Sequence, residues 1–146
     1  MASSDGRWFR QLQTIFYALL LGQLIFAVTV WFLIRGEERR YFLDGEADLY
    51  VLAGYAVCMV GGAWFLDQFR RKTVAKQKGI RERAASSYRA TVFIRLAILE
   101  SATLLLTAVA LLTFNYEALG LVVLMLGAFW YFRPTLEEFT ERYVVR

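Results

Sequence analysis

The chain of 146 residues is 58% hydrophobic and only 21% charged, with a net charge of +4. This apolar excess over an average soluble domain predicts a membrane protein with a single domain, residues 1–146. There is no histidine and one cysteine, Cys58, which excludes His-ligated haem, the usual zinc sites, an internal disulfide and a cysteine-held iron–sulfur cluster. We therefore expect no metal, no cofactor and no enzymatic activity.

Four apolar stretches predict an all-α membrane protein whose four transmembrane helices form an antiparallel up-down bundle. A helix rises 1.5 Å per residue, so about 20 apolar residues cross ~30 Å of hydrocarbon. The first stretch is uncharged over residues 14–34, whereas the second and fourth are shorter and end beside aromatic residues. We expect spans at about 12–34, 49–67, 91–114 and 117–132.

Loop charge predicts the orientation of the spans. Residues 67–89 carry eight lysines and arginines against two acidic residues, whereas residues 35–48 carry three basic and five acidic residues. The positive-inside rule places the basic linker 68–90 in the cytoplasm, with both termini on the same side of a bacterial inner (plasma) membrane. We expect this linker to turn near Gly79 and to contact anionic headgroups. No aromatic platform interleaves its charges, so nucleic acid is not an expected partner.

The third span carries polar residues at membrane depth, where ionisable side chains are costly. Glu100, Thr103 and Thr107 share one helical face, and Gln23 is a further polar candidate in the first span. Three interpretations of Glu100 remain open: it fixes helix packing, it carries a proton or cation, or it contacts another subunit. Arg95 is expected at the cytoplasmic border, with its head reaching the lipid headgroups and Asp67 as an interfacial ion-pair partner.

Two further patterns concern packing. Gly54, Cys58 and Gly62 recur every four residues in the second span, a small-residue face suited to close helix packing inside the chain or, less favoured, between subunits. After Pro134, Thr135 and Glu138 have capping-box spacing, and a short amphipathic helix is predicted over 135–144 on the cytoplasmic surface. Its apolar face would comprise Leu136, Phe139 and Tyr143. The four tryptophans are expected as anchors at the membrane borders.

The phrase YRATVFIRLAILESATLLL, followed by a fourth helix ending in RPTLEEF, resembles small four-helix inner-membrane proteins of Bacteroidetes-type bacteria. The resemblance covers residues 88–140, with Tyr88, Arg89, Glu100 and Pro134 as landmarks. It implies a fold and a location and no activity.

The leading functional interpretation is a non-catalytic accessory or structural subunit of a larger membrane complex, for example a respiratory or energy-transducing one, with other membrane subunits as partners. The alternative is a small proton-coupled transporter that works as an oligomer through Glu100. LAILESATLLL also resembles the carboxylate helix of rotor-ring proteolipids, but the bulky first span does not suit a tight ring. Small multidrug-type exporters resemble the chain in helix number, but carry their glutamate in the first helix.

Overall fold

The computed structural model describes residues 2–38, 46–75 and 81–139, and all regular structure in these ranges is α-helical. The helices are α1 (Ala2–Ile34), α2 (Glu46–Ala75), α3 (Arg81–Thr113), α4 (Tyr116–Tyr131) and α5 (Leu136–Phe139). The all-α prediction is confirmed for this part of the chain.

Three of the helices are long and apolar enough to cross a membrane. The qualifying segments are Arg7–Ile34, Asp48–Phe69 and Ala85–Thr113, and they coincide with the first three predicted spans. The apolar helix α4 is shorter, at 16 residues. Helices α2 and α3 continue beyond their apolar segments to Ala75 and from Arg81. Most of the basic linker is therefore helical, and the turn predicted near Gly79 lies outside the described residues.

Helix α3 lies at the centre and packs against α1, α2 and α4. Residues spaced three and four apart form its buried face, among them Leu96, Leu99, Thr103 and Leu106. Across the bundle, Phe16 of α1 stacks on Phe129 of α4 with ring centroids 5.1 Å apart. By contrast, the remaining surfaces of α1, α2 and α4 expose many large apolar side chains, as a lipid-facing surface requires.

Two pairs of contacts fix the relative direction of α1 and α3. Trp8 packs edge-on against Tyr88, and Val30 shares a buried cluster with Ala110. The sequence separation between the two members is the same in both pairs. Helices α1 and α3 therefore run parallel, and residues at this separation lie at the same level. Helix α4 runs back along α3, because the two are joined by a tight turn.

The turn between α3 and α4 has local chemical causes. Phe114 adopts a left-handed conformation with φ of 51°, which ends α3. Asn115 caps α4, its side-chain oxygen accepting from the backbone N–H groups of Glu117 and Ala118 at 2.8 and 3.4 Å. Tyr116 donates its hydroxyl to the Ile34 carbonyl at 3.1 Å, which ties the end of α1 to this turn.

The C-terminal helix packs differently from the predicted surface helix. The Glu138 N–H donates to the Thr135 hydroxyl at 3.2 Å, so the predicted cap is present. However, Phe139 is buried against Trp8 and Tyr88, whereas Leu136 is 55% exposed. The prediction that these two residues share one apolar face is wrong, because Phe139 packs into the end of the bundle while Leu136 is exposed. The place of this helix on the cytoplasmic surface stays a prediction. Residues 140–144, including Tyr143, lie outside the described residues.

The tryptophans follow the predicted border pattern only in part. Trp31, Trp64 and Trp130 are exposed on the outer surface of the bundle. Trp8 is buried at the end of the bundle, with the guanidinium of Arg89 4.7 Å from its ring centroid. Its predicted role as a membrane anchor is therefore wrong, because its ring packs against protein.

Candidate functional site

Arg95 is a buried charge at the end of the bundle. Its side chain is 2% exposed, and Nη2 donates to the Phe132 carbonyl at 2.8 Å. Nη1 lies 3.4 Å from Asp67 Oδ1 and 3.3 Å from Glu138 Oε1. One guanidinium therefore connects α2, α3, the C-terminal end of α4 and α5.

Tyr88 extends this network by two turns of α3. Its hydroxyl lies 3.3 Å from both the Thr135 carbonyl and Glu138 Oε2. In a reciprocal capping box, the Glu138 carboxylate would bond back to the start of α5. Here the carboxylate is directed to Arg95 and Tyr88, so it links the C-terminal segment to the centre of the bundle.

The sequence placed Asp67 beside Arg95, and the structure brings these two side chains together. The expectation that the head of Arg95 reaches lipid headgroups is wrong, because protein groups surround the guanidinium. The sequence did not reveal that Glu138 pairs with Arg95. Its capping-box spacing from Thr135 was already a sufficient local reason for a glutamate at that position. Nor did the sequence reveal the role of Tyr88, whose only signal was its position two turns before Arg95 on the same face.

Beside this network lies a half-open pocket of about 390 Å³. It lies at the level where the apolar segments of α2 and α4 end. Four charged residues, two of each sign, and three aromatic residues lie in its lining: Asp67, Glu138, Arg95, Arg133, Trp64, Tyr131 and Phe132.

The second group of predicted residues lies deeper along α3. Thr103 and Thr107 are buried, and each donates its hydroxyl to the carbonyl four residues earlier, at 2.8 and 2.7 Å. Such bonds satisfy the hydroxyl hydrogens within the helix and leave the oxygen lone pairs as acceptors. The threonines do not bind the Glu100 carboxylate.

Glu100 lies on the flank of the buried face of α3. Leu96 and Thr103 on one side are buried, while Leu104 on the other is 41% exposed. The Glu100 side chain is itself half-buried and, among the described residues, makes no hydrogen bond or ion pair. It lies about 7–8 Å deeper than Arg95, given the helical rise. The bundle alone therefore leaves this carboxyl unsatisfied.

Gln23 is buried in α1 with both amide atoms lacking a hydrogen-bond partner. The parallel register of α1 and α3 places it level with Thr103, within about one helical turn of Glu100 along the axis. Despite this level, no hydrogen bond joins Gln23 to Glu100, Thr103 or Thr107. The four polar residues share a depth without forming a connected network.

The small-residue face of α2 is not used for packing inside the chain. Gly54, Cys58 and Gly62 are all exposed, and a Cβ added at either glycine would meet no atom within 4 Å. Helix α2 instead directs Ala56, Ala63 and Asp67 toward the bundle. The prediction of internal packing through this face is therefore wrong.

Within the described part of the chain, no three cysteine, aspartate or glutamate side chains come together as metal ligands would. The geometry therefore offers an ion-pair network around Arg95, a pocket beside it, and the half-buried Glu100 carboxyl, which has no partner in the described part of the chain. Comparison of the chain with protein-family models, curated proteins and solved structures gave no match.

Proposed function

We propose that this chain is a multi-pass protein of the bacterial inner membrane, with four spans and both termini in the cytoplasm. Helix α4 supports a fourth span, because it covers about 24 Å by helical rise and runs antiparallel to α3. Its C-terminal end returns to the level of Arg95, where the Phe132 carbonyl accepts from the guanidinium. The basic charge of residues 67–89 supports the orientation.

Within that membrane, the chain acts as a non-catalytic subunit of a larger membrane complex. The observation that carries this proposal is the half-buried Glu100 carboxyl, which has no partner among the described residues. An ionisable group at membrane depth needs a partner or a proton, and a side chain of a neighbouring subunit would supply one. The position of Glu100 on the flank of α3 makes it reachable from outside the bundle.

The test is mild extraction of the native membrane, followed by separation by native size and identification of co-migrating chains by mass spectrometry. We expect the chain in a complex larger than a dimer, together with defined partner subunits. Glu100→Gln should weaken this association, whereas Ser101→Ala, at the exposed neighbouring position, should leave it intact. A chain that migrates only as a homodimer would contradict the proposal.

A second candidate is a small proton-coupled transporter that works as an oligomer through Glu100. The observation in its favour is the buried amide of Gln23, whose donors and acceptor have no protein partner at the level of Thr103. An unsatisfied buried amide is a place where ordered water is favoured, and water beside a carboxyl can pass protons.

Reconstituted vesicles with an interior pH dye distinguish this candidate from the subunit proposal. A carrier role predicts proton flux that Glu100→Gln reduces to the level of protein-free vesicles. Ser101→Ala provides the matched control for incorporation. Equal flux from wild type, the Glu100 variant and empty vesicles would exclude the carrier role.

A further inference from the structure

The pocket beside Arg95 lies where a phospholipid headgroup would lie. Its wall is formed near the ends of the apolar segments of α2 and α4, and its rim carries Trp64 and Tyr131. These two side chains are 54% and 80% exposed on the outer surface, where aromatic residues meet the headgroup layer. Its volume of about 390 Å³ exceeds the roughly 30 Å³ share of one water molecule many times over.

Among the described residues that line the pocket, the charges balance one another. Arg95 and Arg133 supply two guanidinium groups, and Asp67 and Glu138 supply two carboxylates. A balanced lining gives no net preference for a simple anion or a simple cation. It does suit a ligand that carries both charges a few bonds apart.

The two signs also differ in what they can offer a ligand. Nη1 of Arg95 reaches its carboxylates only at 3.3 and 3.4 Å, so these two contacts are longer than well-formed charge-assisted hydrogen bonds. Arg133 is exposed and stacks near Trp130, 5.5 Å from its ring centroid. Each carboxylate has several acceptor sites, so Asp67 and Glu138 can accept from an ammonium while they keep the partners that they have in the bundle.

We propose that this pocket binds the phosphoethanolamine headgroup of a membrane phospholipid. The phosphate lies toward the exposed guanidinium of Arg133, as phosphate oxygens favour arginine forks. The primary ammonium donates to the carboxylates of Asp67 and Glu138. A choline headgroup has the same charges but no N–H donors, and a glycerol headgroup has no cation. The pocket therefore discriminates among lipids by the ammonium. This inference does not depend on the proposed role of Glu100.

The test is native mass spectrometry of the full chain, titrated with phospholipids of identical acyl chains and ethanolamine, choline or glycerol headgroups. We expect one tightly retained ethanolamine lipid, with an affinity roughly tenfold above the other two, as loss of a charge-assisted hydrogen bond implies. Equal retention of the three lipids would overturn the proposal. Displacement of the bound lipid by inorganic phosphate alone would also overturn it, because the site would then belong to a free anion.

Two variants with matched controls locate the binding. Arg133→Gln and Gln68→Leu, both at lining positions, should each reduce ethanolamine-lipid retention several-fold. The controls are Arg35→Gln, an exposed arginine near Trp31, and Gln13→Leu, which lines a separate pocket that Arg133 also borders. Neither control should change retention. If Arg133→Gln fails to fold, Arg133→Lys, which keeps the charge but lacks the planar fork, decides alone, and wild-type retention by that variant would contradict the proposed phosphate contact.

Discussion

At the scale of single residues, Arg95 shows how a charge is kept inside an apolar bundle. Taking an arginine out of water is costly unless its donors find acceptors and its charge finds counter-charges. Asp67 and Glu138 supply the charges, and the Phe132 carbonyl supplies the shortest bond. These contacts come from three separate segments, so the charge orders the end of the bundle.

Removing this charge should destabilise the fold strongly. Arg95→Leu leaves the buried Asp67 and the half-buried Glu138 without this counter-charge, and breaking a buried pair typically costs ~3–5 kcal/mol. Arg95→Lys keeps the charge but cannot reproduce the planar fork, so an intermediate loss is expected. The free energy of unfolding, measured in mixed detergent micelles, gives the loss of stability in each of the two variants. Arg35→Leu, at an exposed position, is the control and should change stability by about 0.5 kcal/mol or less. Equal stability of the Arg95→Leu and Arg35→Leu variants would show that the network is not stabilising.

Sequence reasoning reached only half of this network. Asp67 and Arg95 end neighbouring spans on the same predicted side, so topology alone brings them together. Glu138 lies 43 residues after Arg95, and its spacing from Thr135 offered a sufficient local explanation. Local pattern cannot show that a capping glutamate bonds elsewhere, because that choice depends on where α5 packs.

At the scale of elements, hydropathy predicts which segments are helices but not which face each helix buries. In a bilayer both protein and lipid accept apolar side chains, so an apolar stretch carries little information about its partner. The small-residue face of α2 illustrates this, since Gly54, Cys58 and Gly62 are all exposed. Phe139 and Leu136 of α5 illustrate it again, because they differ in burial despite their helical spacing.

The packing of α5 should depend on Phe139. Phe139→Ala removes a ring buried against Trp8 and Tyr88, and such truncations cost ~3–5 kcal/mol in well-packed cores. Leu136→Ala truncates an apolar side chain at an exposed position of the same helix and is the control. Limited proteolysis of the C-terminal segment, followed by intact mass, measures release of α5. We expect faster cleavage only in the Phe139 variant, and equal rates would show that α5 is held by other contacts.

At the scale of the whole molecule, the bundle places its polar groups at two depths. The network around Arg95 lies at one end, where a pocket opens at the level of the headgroups, and Glu100 and Gln23 lie deeper. The two proposals concern different depths. The pocket beside Arg95 would bind a headgroup at the membrane border, and Glu100 would need a partner or a proton within the hydrocarbon. The proposed arrangement in the membrane assumes that the basic end faces the cytoplasm and that α4 crosses the bilayer.

Both assumptions can be tested by cysteine labelling in intact cells with a membrane-impermeant thiol reagent, in a Cys58→Ser background. Glu37→Cys and Glu117→Cys, both at exposed positions, should be labelled without permeabilisation. Ser86→Cys and Glu137→Cys, also exposed, should be labelled only after it. The reverse pattern would overturn the orientation. Labelling of Glu137→Cys together with Glu117→Cys would show that α4 does not cross, because the two residues flank that helix.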